Sequence, residues 1–151
     1  VQKFNHHNEN EGVYVGIDFG TANCSISIAN SNICNTLELE DGLRVPSIVY
    51  FNKSIIIGTE AKKYIGSKNT IFGIKQLLGR TVNAAFKEHI KHLPFTVDTQ
   101  FERAKIVIDN GGITDRFNVE DIAAFILMKQ KMSTELFLNR ALDTVSITVP
   151  A

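Results

Sequence analysis

The sequence predicts an α/β fold that combines a mixed sheet with helices. Residues 13–18 and 24–29 alternate apolar and polar side chains with the two-residue period of strands, and no helix separates them. Short β-branched runs at 44–51 and 54–58 predict further strands. Residues 118–139 repeat apolar side chains with the spacing of a helix. With 151 residues, of which 44% are hydrophobic, the chain is long enough to enclose a core.

The balance of charges limits the kinds of partner that the chain can bind. Lys and Arg together number 16, and so do Asp and Glu, so the chain lacks the basic excess of a general nucleic-acid binder. No apolar run approaches the ~20 residues of a membrane-spanning helix, and no signal-peptide pattern opens the chain. We therefore expect no nucleic-acid or membrane partner and a cytoplasmic location. The start at Val1 and the final V-P-A suggest a piece of a longer protein.

The opening hairpin, residues 13–30, carries one carboxylate where its first strand ends. Asp18 precedes a turn that contains Gly20, a residue free to adopt backbone angles closed to others, and the N–H groups of such a turn can converge on an anion. Magnesium keeps several waters and takes few protein ligands, so a carboxylate beside a phosphate-sized turn suits a magnesium–nucleotide complex. An ordinary hairpin with a solvated Asp18 explains the same residues.

The two cysteines are predicted to stay reduced. A two-residue turn at 31–32 pairs the strand of Cys24 with the following segment and places Cys24 opposite Leu39. In that register Cys34 lies on the other face of the hairpin, so the two sulfur atoms do not meet. Reduced thiols agree with a cytosolic protein.

The first half of the chain continues with a polar start and three predicted helices. Residues 1–12 are polar and aperiodic, as in a disordered lead-in. Residues 59–65 favour a short helix, and Asn69 is placed to cap a second helix that ends near Gly79. Residues 81–92 favour a third helix, which completes the α part of this half.

The second half of the chain predicts a hairpin, a long helix and a last strand. Strands at 95–98 and 103–109 precede a hairpin turn signal, Asn-Gly-Gly at 110–112. Asn118 caps the longest helix, with an acidic residue three positions later as in a capping box. The predicted apolar stripe of this helix consists of Ile122, Phe125, Ile126, Met132 and Leu136. Both methionines of the helix are expected to fill the core, and residues 143–151 form the last strand.

Lys75 is the unexpected residue of the predicted second helix. When residues are placed about 100° apart, as in an α-helix, Lys75 falls inside a broad apolar arc. The arc consists of Ile71, Phe72, Ile74, Leu77 and Leu78. A lysine in that position either extends its stem to carry the ammonium into solvent or directs the ammonium at a buried anion. The sequence leaves both possibilities open.

The familiar nucleotide-binding motifs are absent from the sequence. Asp-Phe-Gly at 18–20 matches the magnesium motif of protein kinases, but no glycine-rich loop with a following lysine strand and no His-Arg-Asp loop accompany it. No G-x-x-x-x-G-K-S/T loop occurs. The spacing of Gly16 and Gly20 is not G-x-G-x-x-G, and a strand follows where a Rossmann unit needs a helix. What remains is a strand–turn–strand phosphate loop with one carboxylate.

Five segments carry a resemblance to a known family. V-G-I-D-F-G-T-A-N at 15–23 resembles the phosphate-binding opening of the heat shock protein 70 family, which has the actin-like ATPase (ribonuclease H-like) fold. The other four, in the family's order and spacing, are R-V-P-S-I-V-Y-F at 44–51, I-G-T-E-A at 57–61, N-T-I-F-G-I-K-Q-L-L-G-R at 69–80 and I-T-V-P-A at 147–151. The resemblance implies that residues 13–151 form the first-lobe portion of a chaperone nucleotide-binding domain, made of subdomain IA strands and subdomain IB. That domain would be incomplete.

Two further features resemble one branch of this family. K-H-L-P-F-T-V at 91–97 and the short Gly-Gly hairpin are more similar to the HscA branch, which serves iron–sulfur cluster assembly, than to the general DnaK branch. The resemblance implies a molecular chaperone in which ATP binding and hydrolysis drive client protein folding or iron–sulfur cluster assembly. Its implied cofactors are ATP or ADP with Mg²⁺. Its implied partners are client polypeptides, a J-domain co-chaperone and, for the HscA branch, an iron–sulfur scaffold protein.

The resemblance also implies a role for each matching position. Asp18 would help to hold the water shell of Mg²⁺, and Lys75 would reach the γ-phosphate and the attacking water, so these two are the implied catalytic residues. Pro150 would be the hinge-like proline that relays the nucleotide state to the peptide-binding domain. The phosphates would be lined by Gly20, Thr21, Ala22 and Asn23.

Two departures from the family pattern concern the implied nucleotide site. The family usually has a second Thr where this chain has Ala22, and commonly has Arg where it has Gln76. A truncated or degenerate relative that acts as a non-catalytic binding module is therefore one alternative. Another actin-like ATPase, such as a sugar kinase or a filament former, is a second alternative, because those proteins share the D-x-G-T turn. Since the chain would supply one wall of a cleft, residues 1–151 alone are expected to be inactive.

Overall fold

The computed structural model describes residues 13–30 and 33–149. The predicted lead-in at 1–12, the turn at 31–32 and Pro150 lie outside these described residues. The strands are β1 Tyr14–Phe19, β2 Asn23–Ala29, β3 Cys34–Thr36, β4 Val45–Pro46, β5 Ile48–Phe51, β6 Ile55–Ile57, β7 Thr70–Phe72, β8 Thr96–Asp98, β9 Lys105–Asp109, β10 Thr114–Asn118 and β11 Ser146–Ile147. The helices are α1 Ala84–Ile90 and α2 Val119–Leu138, with short 3₁₀ turns at Glu60–Tyr64 and Ile74–Gln76. The described chain is thus the mixed α/β structure that the sequence predicts.

The largest sheet contains the predicted opening hairpin. Its strands lie in the order β11-β1-β2-β3, and β4 pairs with the end of β2 that is nearest the turn. β1 and β2 are antiparallel, with Phe19 opposite Cys24, whereas β11 runs parallel to β1. The sheet is therefore mixed, and β11 brings the end of the described chain beside β1.

Two antiparallel three-stranded sheets, β6-β5-β7 and β10-β9-β8, form the rest of the strand structure. The turn predicted at 110–112 joins β9 to β10, and the Asn110 N–H donates to the Ile113 carbonyl at 3.0 Å. The strand predicted at 54–58 is present as β6. The hairpin turn at 110–112 and the strand at 54–58 are therefore confirmed.

The buried side chains form two clusters that the opening hairpin connects. The larger cluster joins the two small sheets to the first half of α2 and includes Phe19 and Cys24 at the turn end of the hairpin. The smaller cluster contains Ile17 and Ile26 from the rest of the hairpin together with Leu138 at the end of α2. The turn end of the hairpin is therefore anchored in the larger core, which fixes the position of the candidate site.

The helix predicted at 69–79 does not form. Residues 70–72 form β7, which pairs with β5, and Gly73 takes a φ of 65° before a single 3₁₀ turn. The Asn69 side chain donates to the carbonyl of Asp109 at 2.8 Å instead of capping a helix. β-Branched and aromatic side chains fit a sheet edge well, so pairing with β5 overrides the apparent helical period.

The other two helices of the first half are present but shorter than predicted. The segment predicted at 59–65 is the 3₁₀ turn Glu60–Tyr64. The segment predicted at 81–92 is α1, whose N-cap Asn83 accepts a hydrogen bond from the Phe86 N–H at 2.9 Å. In both cases a helical element forms where one was predicted, but its ends differ from the predicted ends.

The cysteines stay apart as predicted, but Cys24 does not face Leu39. The chain leaves the sheet after the short strand β3, and Leu39 then forms a tight bridge with Gly42. β4 takes the free place beside β2, so that Cys24 lies opposite Val45. Cys24 is buried, Cys34 is exposed, and both are free thiols.

The long helix α2 begins as predicted, with Asn118 as its N-cap. The Asn118 N–H donates to Asp121 Oδ2 at 2.8 Å, which completes a capping box. Ile122 and Ile126 of the predicted stripe are fully buried. None of the helices within residues 13–30 and 33–149 combines the length and the hydrophobicity needed to span a bilayer.

The predicted apolar stripe is wrong in the second half of α2. Met132 is 62% exposed and Leu136 is 82% exposed, and Met128 also faces outward, so the methionines do not fill the core. Steps of four residues from Ile126 lead along the buried face, whereas Met132 and Leu136 are rotated away from it. The buried residues of this half are Gln130, Thr134 and Leu138.

Candidate functional site

The candidate site begins where β1 reaches its turn. Ile17 and Phe19 are buried, whereas Asp18 between them is exposed. Successive side chains of a strand point to opposite faces, so the two buried neighbours direct the Asp18 carboxylate away from the core. The strand therefore fixes this carboxylate while its oxygens stay accessible.

Thr148, directly after β11, holds the Asp18 carboxylate in place. Thr148 Oγ1 donates to Asp18 Oδ1 at 2.7 Å and accepts a hydrogen bond from the Phe19 N–H at 3.1 Å. The Thr148 N–H donates to the Ile17 carbonyl at 3.0 Å, so both backbone and side chain fix this residue. The sequence alone does not identify Thr148, because its contact with Asp18 depends on the parallel pairing of β11 with β1.

Gly20 opens the turn that follows β1, residues 20–23. A Cβ atom on Gly20 would lie 2.2 Å from the carbonyl oxygen of Asn23, which is far inside van der Waals contact. Gly20 is not among the glycines with positive φ, so the expectation of special backbone angles is wrong. Close approach of the Asn23 backbone is the reason that this position needs glycine.

Ser47 holds this turn in place by hydrogen bonds from its buried side. Its Oγ donates to the Gly20 carbonyl at 2.9 Å, and its N–H donates to the Ala22 carbonyl at 2.9 Å. The N–H groups of Thr21 and Ala22 donate to no partner within the part of the chain that the structure describes. These two N–H groups are therefore available to an anion.

The buried thiol of Cys24 contacts Ser47, the residue that holds the turn. Burial raises the pKa of the Cys24 thiol above its ordinary value, while a hydrogen bond with the Gly20 backbone partly offsets that rise. The negative charge of Asp18 raises the same pKa, and the positive charge of Lys75 lowers it. Both charges therefore act electrostatically on the same thiol.

Lys75 lies in the 3₁₀ turn after β7, so the apolar arc predicted for an α-helix is wrong. The buried side chains of Ile74 and Leu77 anchor this turn on either side of it. Lys75 itself is half-buried, and it takes part in no salt bridge found among the described residues. Gln76, the next residue, is exposed. A half-buried ammonium without an ion pair is suited to attract an anionic ligand.

The arrangement fits a hydrated magnesium–phosphate group. Within residues 13–30 and 33–149, no three His, Cys, Asp or Glu side chains are gathered as a metal site. Magnesium bound mainly by waters and phosphate oxygens needs only one or two carboxylates, and Asp18 provides one. The free N–H groups of the 20–23 turn and the ammonium of Lys75 would face the phosphates. Asp18, Ala22 and Asn23 are exposed, so these groups form one open wall.

The sequence also matches a known protein family. The family model described as Hsp70 protein matches residues 14–151 of the chain. The match spans Asp18, the 20–23 turn, Ser47, Lys75 and Thr148, so it includes every residue of the arrangement described above. The match covers well over half of the chain.

Proposed function

Because the chain belongs to the Hsp70 family, we propose that it forms the phosphate-binding wall of an ATP-driven molecular chaperone. Hsp70 family members are ATPases that bind ATP with Mg²⁺ and work with client polypeptides and J-domain proteins. The described fold is a mixed α/β structure that matches the family's N-terminal ATPase region. The observation that carries the proposal is that Thr148 fixes the Asp18 carboxylate directly before a turn that Ser47 holds in place.

In this proposal Asp18 holds magnesium through water. Thr148 fixes Asp18 Oδ1 at 2.7 Å, while Oδ2 takes part in no hydrogen bond found among the described residues. A carboxylate with one oxygen fixed and the other accessible is well suited to accept hydrogen bonds from metal-bound waters. When bound, Mg²⁺ would neutralise charge on the phosphate oxygens.

The 20–23 turn is proposed to line the phosphates through its backbone. The carbonyls of Gly20 and Ala22 are held by Ser47, and the N–H groups of Thr21 and Ala22 have no partners in the described chain. Asn23 follows on the exposed side of the turn. Ala22 offers no hydroxyl here, so binding by this segment depends on backbone donors and on Thr21 Oγ1.

Lys75 is proposed to act on the terminal phosphate and on the attacking water. Its turn is anchored by two buried side chains, Ile74 and Leu77, so the backbone from which the ammonium extends is fixed before any ligand arrives. A preorganised charge needs no rearrangement when negative charge develops, and this is the main source of catalysis in phosphoryl transfer. Asp18 and Lys75 are therefore the proposed catalytic pair.

The finer assignment within the family is also a proposal. The K-H-L-P-F-T-V segment at 91–97 and the short Gly-Gly hairpin support a place in the HscA branch, with an iron–sulfur scaffold protein as an additional partner. We assign the protein to the cytoplasm on the basis of its reduced cysteines. Pro150, which lies outside the described residues, would relay the nucleotide state to a peptide-binding domain. Co-purification of an iron–sulfur scaffold protein tests the branch, and its absence from the bound fraction would contradict it.

A second candidate function is a non-catalytic binding module. Ala22 removes a hydroxyl from the phosphate turn, and Gln76 places a neutral side chain beside Lys75. Both changes reduce the polar and cationic groups available to a nucleotide. Such a module would bind clients or co-chaperones without hydrolysing ATP, so measured hydrolysis distinguishes the two functions.

The test of the proposed function is single-turnover ATP hydrolysis by the full-length gene product. Replacing Lys75 by Ala is expected to lower the hydrolysis rate by about a hundredfold or more, because it removes the preorganised cation. The variant is expected to fold, since Lys75 takes part in no salt bridge within the described chain. Circular dichroism checks this.

The matched control is Lys68→Ala, which removes an exposed lysine from the loop before β7. It is expected to leave the hydrolysis rate unchanged. An unaltered rate in Lys75→Ala would contradict the role of Lys75. Hydrolysis at the uncatalysed rate by the unmodified protein would instead favour the binding module.

A further inference from the structure

Ser47 is the buried residue from which the 20–23 turn is held. It is completely buried, although it carries a polar side chain. Its Oγ and its N–H bind the carbonyls of Gly20 and Ala22, so a single residue restrains both ends of the exposed bend. Burial of a hydroxyl is unfavourable unless its hydrogen bonds are made, and here they are made to the turn.

The direction of the hydrogen bonds at Ser47 can be deduced. A serine hydroxyl has one proton, and the Ser47 proton goes to the Gly20 carbonyl. Cys24 Sγ lies 3.2 Å from Ser47 Oγ, so in this contact the thiol must be the donor. A chain of donors therefore runs from the Cys24 thiol in the core, through Ser47, to the turn.

We propose that Ser47 is a positioning residue that presents the N–H group of Thr21 to the phosphates of a nucleoside diphosphate or triphosphate. In a trans peptide unit the carbonyl and the N–H of the next residue point to opposite sides. By binding the Gly20 carbonyl from below, Ser47 therefore directs the Thr21 N–H away from the core, while its own N–H holds the Ala22 carbonyl. Ser47 does not touch the ligand and acts through the turn alone. This inference rests on the proposed function, since it assigns the phosphates to that turn.

The position of Ser47 between two sheets supports this role. The next residue, Ile48, begins β5, and the preceding residue, Pro46, ends β4. Ser47 thus lies between two strands that belong to different sheets, with β4 paired to β2 and β5 paired to β6 and β7. Because both sheets fix the position of Ser47, the 20–23 turn is anchored to these sheets and not to a loop.

The test compares the affinities of the full-length gene product for MgADP and for adenosine. Ser47→Ala removes the bond to the Gly20 carbonyl and is expected to weaken MgADP binding by about tenfold, as for a lost buried hydrogen bond. Adenosine has no phosphate to contact the turn, so its affinity is expected to stay within about twofold. A general loss of stability would lower both affinities, and the ratio of the two separates positioning from a merely structural role.

The matched control is Ser27→Ala on the same strand as Cys24. Ser27 Oγ contacts Thr36 Oγ1 at 3.2 Å in an exposed pair away from the turn, so the ratio of affinities is expected to stay unchanged. Ser47→Thr retains the hydroxyl and is expected to keep a ratio closer to that of the unmodified protein than Ser47→Ala does. An equal ratio in Ser47→Ala and Ser27→Ala would overturn the proposal.

A second measurement tests the positioning role of Ser47 separately from the proposed function. Without nucleotide, the amide proton of residue 47, which donates to the Ala22 carbonyl, is expected to lose protection from exchange in Ser47→Ala but not in Ser27→Ala, because the turn has lost an anchor. Unchanged exchange would contradict the positioning role, whatever the nucleotide affinities are. An unmodified protein that binds adenosine as tightly as MgADP would contradict the proposed function, while faster exchange in Ser47→Ala would still support Ser47 as the anchor of the turn.

Discussion

At the scale of single residues, the candidate site depends on an exposed carboxylate whose orientation is fixed by a distant part of the chain. Asp18 and Thr148 are 130 positions apart in sequence, yet their side chains are 2.7 Å apart. The same Thr148 oxygen accepts the Phe19 N–H, so it connects the carboxylate to the backbone of its own strand. Thr148 is thus the residue that limits how Asp18 can turn.

Removing the Thr148 hydroxyl should therefore weaken magnesium-dependent nucleotide binding. Thr148→Val keeps the branched shape, but it leaves Asp18 Oδ1 and the Phe19 N–H without their partner. Loss of a group that orients a metal-binding side chain typically reduces metal affinity by about tenfold or more. We expect an increase of that size in the Mg²⁺ concentration needed for half-maximal ATP binding by the full-length gene product.

The control for this change lies in the same sheet. Thr36 Oγ1 contacts Ser27 Oγ at 3.2 Å on the exposed side of β3, and Thr36→Val removes that contact without touching the site. It should leave the Mg²⁺ dependence as it is in the unmodified protein. If Thr148→Val and Thr36→Val gave the same Mg²⁺ titration, Thr148 would have no part in orienting Asp18.

The residues of the site differ in how far the sequence predicts them. Asp18 and the 20–23 turn were predictable because strand, turn and strand follow one another directly. Ser47 and Thr148 were not, because each contacts the hairpin from a segment that is distant in sequence. A local pattern shows where a chain turns but not which distant side chain is placed beneath the turn.

At the scale of elements, α2 shows how a correct helix can bury an unexpected face. Its capping box and its first buried residues follow the predicted pattern, but its second half buries Gln130 and exposes Met132. Gln130 is 1% exposed, and neither Nε2 nor Oε1 has a hydrogen-bond partner within the described residues. An amide in that state reduces the free energy of unfolding.

Replacing Gln130 by Met should consequently stabilise the protein. Methionine has a similar length and no branch, so it can occupy the same space without leaving polar atoms unpaired. We expect the free energy of unfolding to rise by about 1–2 kcal/mol, which is the usual cost of an unpaired buried polar group. Urea unfolding followed by circular dichroism measures this difference.

Gln100→Met serves as the control, because Gln100 is exposed and the same change there alters no buried polar atom. Its free energy of unfolding should stay within about 0.5 kcal/mol of the unmodified value. A lower stability of Gln130→Met would mean that the Gln130 amide is satisfied, for example by an internal water.

Segment 69–79 shows the limit of periodicity at the scale of elements. Its apolar residues fit a helix by spacing, but residues 70–72 pair with β5 and Gly73 ends the strand with a φ of 65°. Lys75 is half-buried although the predicted helix is absent, because the buried side chains of Ile74 and Leu77 anchor its 3₁₀ turn. Pairing with a neighbouring strand is a nonlocal contact, and no window of the sequence contains it.

At the scale of the whole molecule, the opening hairpin unites two cores and carries the candidate site at its exposed end. Its turn end packs in the larger core through Phe19 and Cys24, and its remaining residues pack in the smaller core with Leu138. The sequence predicted the hairpin and the mixed sheet correctly. It could not predict the two cores, because they depend on which sheet each short strand joins.

The open arrangement of the site predicts weak nucleotide binding by residues 1–151 alone. Asp18, Ala22, Asn23 and Thr148 are all exposed on one wall, and among the described residues no second wall faces them. Tight small-ligand sites usually bury about 70–90% of the ligand surface, which a single wall does not achieve. Calorimetry with MgATP is expected to show no micromolar binding and, in a parallel assay, no turnover, while circular dichroism confirms that the chain is folded. Micromolar affinity would contradict this prediction. It would mean that the 20–23 turn, Lys75 and Asp18 bind the nucleotide tightly without a second wall.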